Sequence, residues 1–168
     1  MPKVSEPHKL ARRKQILDAA AACFADHGLH RTSMRDICER AGLSPGAVYS
    51  YFVGKQALIA ALAAESARRA ADQAGRPAAE ALDELARSDE PAAARFRLDV
   101  RLWAEALDDE SVRATFAAAA RGEGQRGALG ALLTAVGLGL SLQRAMDPAF
   151  DARPALGTLA RLLAGARA

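Results

Sequence analysis

The sequence predicts an all-α chain, and three observations predict it. Ala and Leu dominate the 168 residues while β-branched residues are scarce, a composition that favours helix at most positions. Apolar side chains recur three and four residues apart, as in Ile16, Ala20 and Phe24 with Leu17 alongside, which is the spacing of one helix face. Gly, Pro and capping residues interrupt that pattern at short intervals, and no stretch alternates apolar with polar as a strand would. Hydrophobic residues make up 51% and charged residues 26%, a globular balance; with aromatics at 5%, the core must be built from Ala, Leu and Val.

The elements follow in order. A first helix is predicted over 8–27, ended by Gly28, where a left-handed backbone costs least. Thr32 or Ser33 then offers an N-cap for a short helix over 33–41, with Asp36 three residues after Ser33 as a capping-box partner and Gly42 as its stop. Leu43 is expected as a buried hinge residue. Ser44 caps the next short helix, 45–51, and Pro45 fills its first turn, where a missing N–H is harmless. Val48 and Phe52 turn inward. Gly54 breaks the chain before a long helix over 55–73, and Gly75, Arg76 and Pro77 punctuate it again. Beyond them, helices are predicted at 77–88, 91–107, 109–121, 128–146 and 152–165, with a Gly-rich loop over 122–127. There is no internal repeat.

Several classes are excluded at this stage. The first fifteen residues are polar and basic, without the apolar run of a signal peptide, and no apolar run reaches the ~18 residues that span a bilayer, so the chain is expected to be cytoplasmic and free of membrane contact. Paired carboxylates, a nucleophile elbow, metal-ligand spacing and a phosphate loop are all missing from the pattern, so no enzyme, metal or cofactor is expected. Cys23 and Cys38 read as small buried apolar residues of a reducing compartment; a redox-sensing pair is the sharper alternative.

Charge is unevenly placed. The net charge is +3, but residues 1–55 hold nine Lys and Arg against five Asp and Glu, a net of +4. All four lysines and all three histidines lie there. A basic first third on a near-neutral body suggests a head that binds a polyanion.

Two short helices joined by a tight Gly turn and braced by a longer preceding helix make a helix-turn-helix, whose second helix enters the major groove of DNA. The run from Thr32 to Leu58 carries the closest resemblance: Thr32, Ser33, Ile37, Ala41, Gly42, Leu43, Ser44, Gly46, Tyr49, Tyr51, Phe52, Lys55 and Leu58 stand at the positions of a family pattern. This segment, with the preceding helix, resembles the DNA-binding domain of the TetR family over about residues 9–62. Beyond residue 65 the resemblance is architectural. It implies a helix-turn-helix domain over 1–54, a linking helix over 55–74 and a helical ligand-binding and dimerisation domain over 75–168.

The resemblance implies roles residue by residue. Thr32 and Ser33 would hold phosphates through their hydroxyls and the helix N-terminus. Tyr49 and Tyr51 would touch phosphate and groove, and Lys55 the DNA backbone. Ser44, Pro45, Gly46, Ala47 and Ser50 would face bases, the apolar ones against thymine methyls. Arg35 would reach a guanine or a phosphate, and Arg12, Arg13 and Lys14 would add electrostatic attraction. Each has a plainer alternative: core packing for the tyrosines, a solvated surface for the charges. The groove helix lacks Arg, Asn and Gln, so base choice would rest on Arg35, the tyrosines, methyl contacts and DNA shape.

For the body, the resemblance implies a homodimer on a palindromic operator and a small apolar or amphipathic effector. Leu129, Leu132, Leu133, Val136 and Leu140, with Leu156, Leu159, Leu162 and Leu163, are the expected dimer interface, ordinary core packing being the alternative. Phe96, Trp103, Leu107 and Phe116 are the scarce large side chains that would line a ligand pocket, with Arg97 as a polar handle. Arg97, Arg101 and Glu105, four residues apart, read as an exposed salt-bridge ladder or as pocket handles. The segment from Arg121 to Leu142 is shorter than is usual in the family, which keeps a second reading open: a DNA-binding dimer without an effector, controlled by abundance or by a protein partner.

Overall fold

The structure, a computed structural model, describes residues 6–74, 80, 90–122, 128–147 and 149–165. They are helical: α1 (Glu6–His27), α2 (Met34–Ala41), α3 (Pro45–Tyr49), α4 (Lys55–Ala74), α5 (Glu90–Asp108), α6 (Glu110–Gly122), α7 (Ala128–Met146) and α8 (Arg153–Gly165). Apart from Glu80, the helix predicted at 77–88 lies outside the described residues, as does most of the loop predicted at 122–127. Elsewhere the predicted ends fall within two residues of the observed ones, because caps and glycines set them. No helix among the described residues is long and apolar enough to cross a membrane.

The caps are visible atom by atom. Of the two candidates before α2, Ser33 is the N-cap: its Oγ accepts from the Asp36 N–H at 3.2 Å, and the Asp36 carboxylate accepts from the Ser33 N–H at 2.8 Å. Gly42 closes α2 at φ +64°, its N–H and that of Leu43 returning to carbonyls of the last turn. Gly28 plays the same part after α1 at φ +89°. The Asp109 carboxylate accepts from the N–H groups of Ser111 and Val112 and so starts α6.

One apolar core runs from the N-terminal helices into the body. Ile16, Phe24, Ile37, Val48 and Phe52 meet Leu58, Ile59 and Leu62 of α4, and these meet Leu98 and Leu102 of α5 and Val112 of α6. Leu43, expected to be buried, is partly buried against the same core. A smaller cluster lies between α7 and α8: Leu140, Ala152 and Leu156, with Val136 and Phe150 against it. Of the residues expected at the dimer interface, Leu140 and Leu156 are buried in this cluster within one chain and Val136 is partly buried against it. Leu132 and Leu162 instead face outward, together with Leu138, Leu142 and Met146. Leu159 and Leu163 are partly buried, and the side chains of Leu129 and Leu133 lie outside the described residues.

Candidate nucleic-acid interface

The first three helices are locked to one another by polar contacts around their apolar centre. Gln15 Nε2 of α1 donates to the Ala41 carbonyl at 2.8 Å, capping the end of α2. Arg40 and Asp26 pair across the same two helices at 2.7 Å, and the Arg40 guanidinium holds the Asp26 carboxyl below the usual carboxylate range. The Arg13 guanidinium lies 5.1 Å from the centre of the Phe52 ring, which fastens the N-terminal half of α1 to the chain after α3. Together these hold α3 against a fixed frame.

α3 presents a small, polar outer face. Val48 and, just beyond the helix, Phe52 are buried, while Ser44, Pro45, Gly46, Tyr49 and Ser50 are exposed and Ala47 is half-buried. The Ser44 Oγ accepts the Ala47 N–H at 3.3 Å, which leaves its own O–H to donate outward. The Ser50 hydroxyl donates to the Ala47 carbonyl at 2.7 Å, leaving oxygen lone pairs to accept. A Cβ on Gly46 would meet nothing within 4 Å, so that position is open to close approach from outside. Tyr49 is 48% exposed, whereas Tyr51 packs partly against the core. The outer face of α3 is therefore suited to fitting closely against a flat or grooved surface.

Beside α3, Ser33 and Arg35 are exposed at the start of α2, where backbone N–H groups and the helix dipole favour an anion. Arg35 holds Glu39 one turn on at 2.8 Å, a surface pair that a phosphate can compete for. Lys9, Arg12, Arg13 and Lys14 lie along the N-terminal half of α1, and Lys9 and Lys14 are engaged by Glu6 and Asp18.

Two residues expected to touch phosphate have partners within the protein, and Thr32 is buried. Thr32 is 1% exposed and its hydroxyl serves the Cys23 and Gly28 carbonyls at 3.2 and 2.8 Å, so Ser33 alone of the pair faces outward. Lys55 Nζ lies 3.1, 3.2 and 3.2 Å from the carbonyl oxygens of Leu29, His30 and Thr32. An ammonium has three N–H donors, and in this structure Lys55 directs them to the turn between α1 and α2.

In the body, Phe96 and Trp103 meet edge to face at 6.3 Å and 72°, both partly buried. Phe116 packs against the main core, and Arg97 is exposed. Leu107 is 78% exposed, because the buried face of α5 is the Leu98, Leu102 and Ala106 stripe. A polar cluster that sequence reasoning missed joins α4 to α5: Arg69 Nη2 lies 3.2 Å from Asp99 Oδ1, and burial pushes the Asp99 carboxyl above its ordinary range against the pull of Ser66 and Arg69. A surface groove of about 510 Å3 lies elsewhere, along Ala11, Gln15 and Ala22 of α1 and Arg40 and Ala41 of α2.

Sequence reasoning also missed what Arg101 and Glu105 do. They form neither a solvent ladder nor a pocket. Arg101 Nη1 donates to the Phe24 carbonyl and, at 2.6 Å, to the Ala25 carbonyl, both in the last turn of α1. Glu105, with 11% of its side chain exposed, lies 3.4 Å from His30 Nε2 in the following turn. No local sequence signal identifies these pairs, since the Arg101 contact spans more than seventy residues.

Residues 16–62 match the family model for bacterial regulatory proteins of the tetR family. The chain is 47% identical over 76 residues to the HTH-type transcriptional repressor Rv1474c of Mycobacterium tuberculosis, a match that covers 45% of this chain and 41% of that protein. It is 42% identical over 72 residues to the HTH-type transcriptional repressor AcnR of Corynebacterium diphtheriae, covering 43% and 38%. The matched segment thus spans about two fifths of these curated relatives. Over the whole chain it is similar to Salmonella enterica GusR, at 30% identity and a TM-score of 0.68, with 98% of each chain covered. With the helix-turn-helix geometry, the segment match and the full-length structural likeness in hand, the chain belongs to the TetR family of bacterial regulatory proteins.

Proposed function

We propose that the chain is a sequence-specific DNA-binding transcriptional repressor that acts in the cytoplasm as a homodimer on a palindromic operator and is released by a small apolar or amphipathic effector. The head is residues 1–54, the linking helix 55–74 and the body 75–168. The observation that carries this reading is the outer face of α3: small and hydroxyl side chains on a helix whose other face is sealed into the core. Such a face enters the major groove without steric cost, with Pro45 and Ala47 against thymine methyls and Tyr49 and Ser50 at base edges or phosphates. Ser33 and Arg35 at the start of α2 anchor the flanking backbone. One α3 reads too few base pairs alone, and the outward Leu132, Leu138, Leu142, Met146 and Leu162 supply an apolar surface for a second copy.

The effector would bind in the body beside Phe96, Trp103 and Phe116. Its leverage on DNA affinity equals the difference in its affinity for the free and operator-bound forms. The outward turn of Leu107 and the packing of Phe116 into the core favour a second reading, a DNA-binding dimer without an effector. Binding of the purified protein to duplex DNA flanking its own gene, measured across salt concentrations with and without small apolar compounds, separates the two. Steep salt dependence with ligand-dependent release supports the first reading; salt-dependent binding that no compound alters supports the second. Indifference to duplex DNA at low salt refutes both.

A further inference from the structure

We propose that Arg101 is the positioning residue through which the body fixes the angle of the DNA-binding head, and that it thereby sets which half-site spacing the protein accepts. The turn between α1 and α2 is gripped from two sides. Lys55, the first residue of α4, donates to three of its carbonyls. From α5, Arg101 donates to the Phe24 and Ala25 carbonyls, and Glu105, one turn further, approaches His30.

Beside the shared apolar core, the chemistry makes Arg101 the principal polar fastening between α5 and the end of α1. The carbonyls of a helix's last turn carry the negative end of its dipole, so a guanidinium there makes charge-assisted bonds of defined direction, even though the Phe24 carbonyl also accepts the Gly28 N–H at 2.9 Å. The His30–Glu105 contact is longer, at 3.4 Å, and His30 is largely exposed. It adds a second attachment point along α5 and so resists rotation about the first. The opposite face of α5 carries Phe96 and Trp103, and Asp99 on that side is tied to Arg69 of α4. One helix therefore links the far half of α4 to the end of α1, and the head follows wherever α5 goes.

For a dimer, the angle between head and body fixes the distance and rotation between the two α3 helices. Adding one base pair between half-sites shifts them by roughly 3.4 Å and 34–36° on a helix of about 10 base pairs per turn. A head clamped to its body pays for that mismatch in affinity; a loosened head does not.

The test uses the full chain in two arms, of which only the second rests on the proposed operator binding. In the first, spin labels on Glu39→Cys in α2 and Ala114→Cys in α6 report the head-to-body distance within one protomer, with labelled protein diluted into unlabelled; Cys23 and Cys38 are buried and stay unlabelled. Arg101→Met should widen that distance distribution. In the second, a site selected from random duplexes by the parent protein is rebuilt with its half-sites one and two base pairs closer and further apart. The parent should lose about tenfold in affinity per base pair of misplacement, and Arg101→Met about threefold or less. An unchanged distance distribution, or weakening by one factor at every spacing, overturns the proposal. If Arg101→Met fails to fold by circular dichroism, Arg101→Lys, which keeps a cation at the carbonyls without the planar fork, is read by the same criteria. If the parent selects no duplex, operator binding fails while the distance arm still decides the clamp.

Discussion

The ammonium of Lys55 sits 3.1 Å from the carbonyl oxygen of Leu29, twenty-six residues earlier, and within 3.2 Å of two further carbonyls in the same turn. The first residue of the long helix α4 thus closes the turn that leads into α2. Lys55→Met should lower stability by about 2 kcal/mol, since charge-assisted hydrogen bonds to partly buried carbonyls are lost. Thermal or urea denaturation reads the loss. The slope of log affinity for duplex DNA against log salt should stay at the parent value, because the three N–H donors are directed to carbonyls of the protein; a slope reduced by about one would mean that Lys55 neutralises a phosphate.

Gly42 ends α2 at φ +64°, with open space where a Cβ would stand. The cost of a side chain there is one of backbone conformation and not of collision. Gly42→Val should destabilise by about 1–2 kcal/mol, and Gly42→Asn by less, since Asn tolerates the left-handed region. Urea midpoints for the two variants, compared with the parent, check the order.

The Asp36 carboxyl is held below its ordinary value of 3.8, chiefly by the backbone N–H of Ser33 and then by its side chain. A folded-state value below the unfolded one means that the group stabilises the fold while ionised, above the usual carboxylate range, and that this contribution disappears as pH falls through the lowered value. Asp26, paired with Arg40, behaves alike. Acid unfolding followed by circular dichroism should begin at higher pH in Asp36→Asn and Asp26→Asn than in the parent. Coincident acid transitions in the variants and the parent would remove both groups from the account.

Leu162 is 66% exposed on α8, and Leu142 and Met146 lie outward on α7. A carboxylate within an apolar interface between copies is costly to desolvate. Leu162→Asp should raise the dimer dissociation constant by about a hundredfold or more, read by sedimentation equilibrium, with helicity unchanged. Leu156→Asp differs, because Leu156 packs inside one chain; it should lower the melting temperature as well.

The helix-turn-helix was legible because its signals are local. Ser33 with Asp36, Gly42, Ser44 with Pro45, and Gly54 are caps and stops, and each works within four residues of chain. The inward Val48 and Phe52 followed from helical spacing for the same reason. Partnership across the fold was not legible. Threonine, lysine and arginine look alike in sequence whether they face solvent or a neighbouring carbonyl. Thr32, Lys55 and Arg101 all turned inward.

The sequence by itself determined that the chain is helical, where most helices begin and end, and which family its first sixty residues resemble, because hydrogen bonds to the nearest backbone and the periodicity of apolar side chains are short-range facts. Only the tertiary structure decided which polar groups serve the protein and which remain for a partner. That decision rests on distance between segments far apart in the chain: the last turn of α1 lies beside Arg101 of α5, and its Phe24 and Ala25 carbonyls take the donor that folding brings to them.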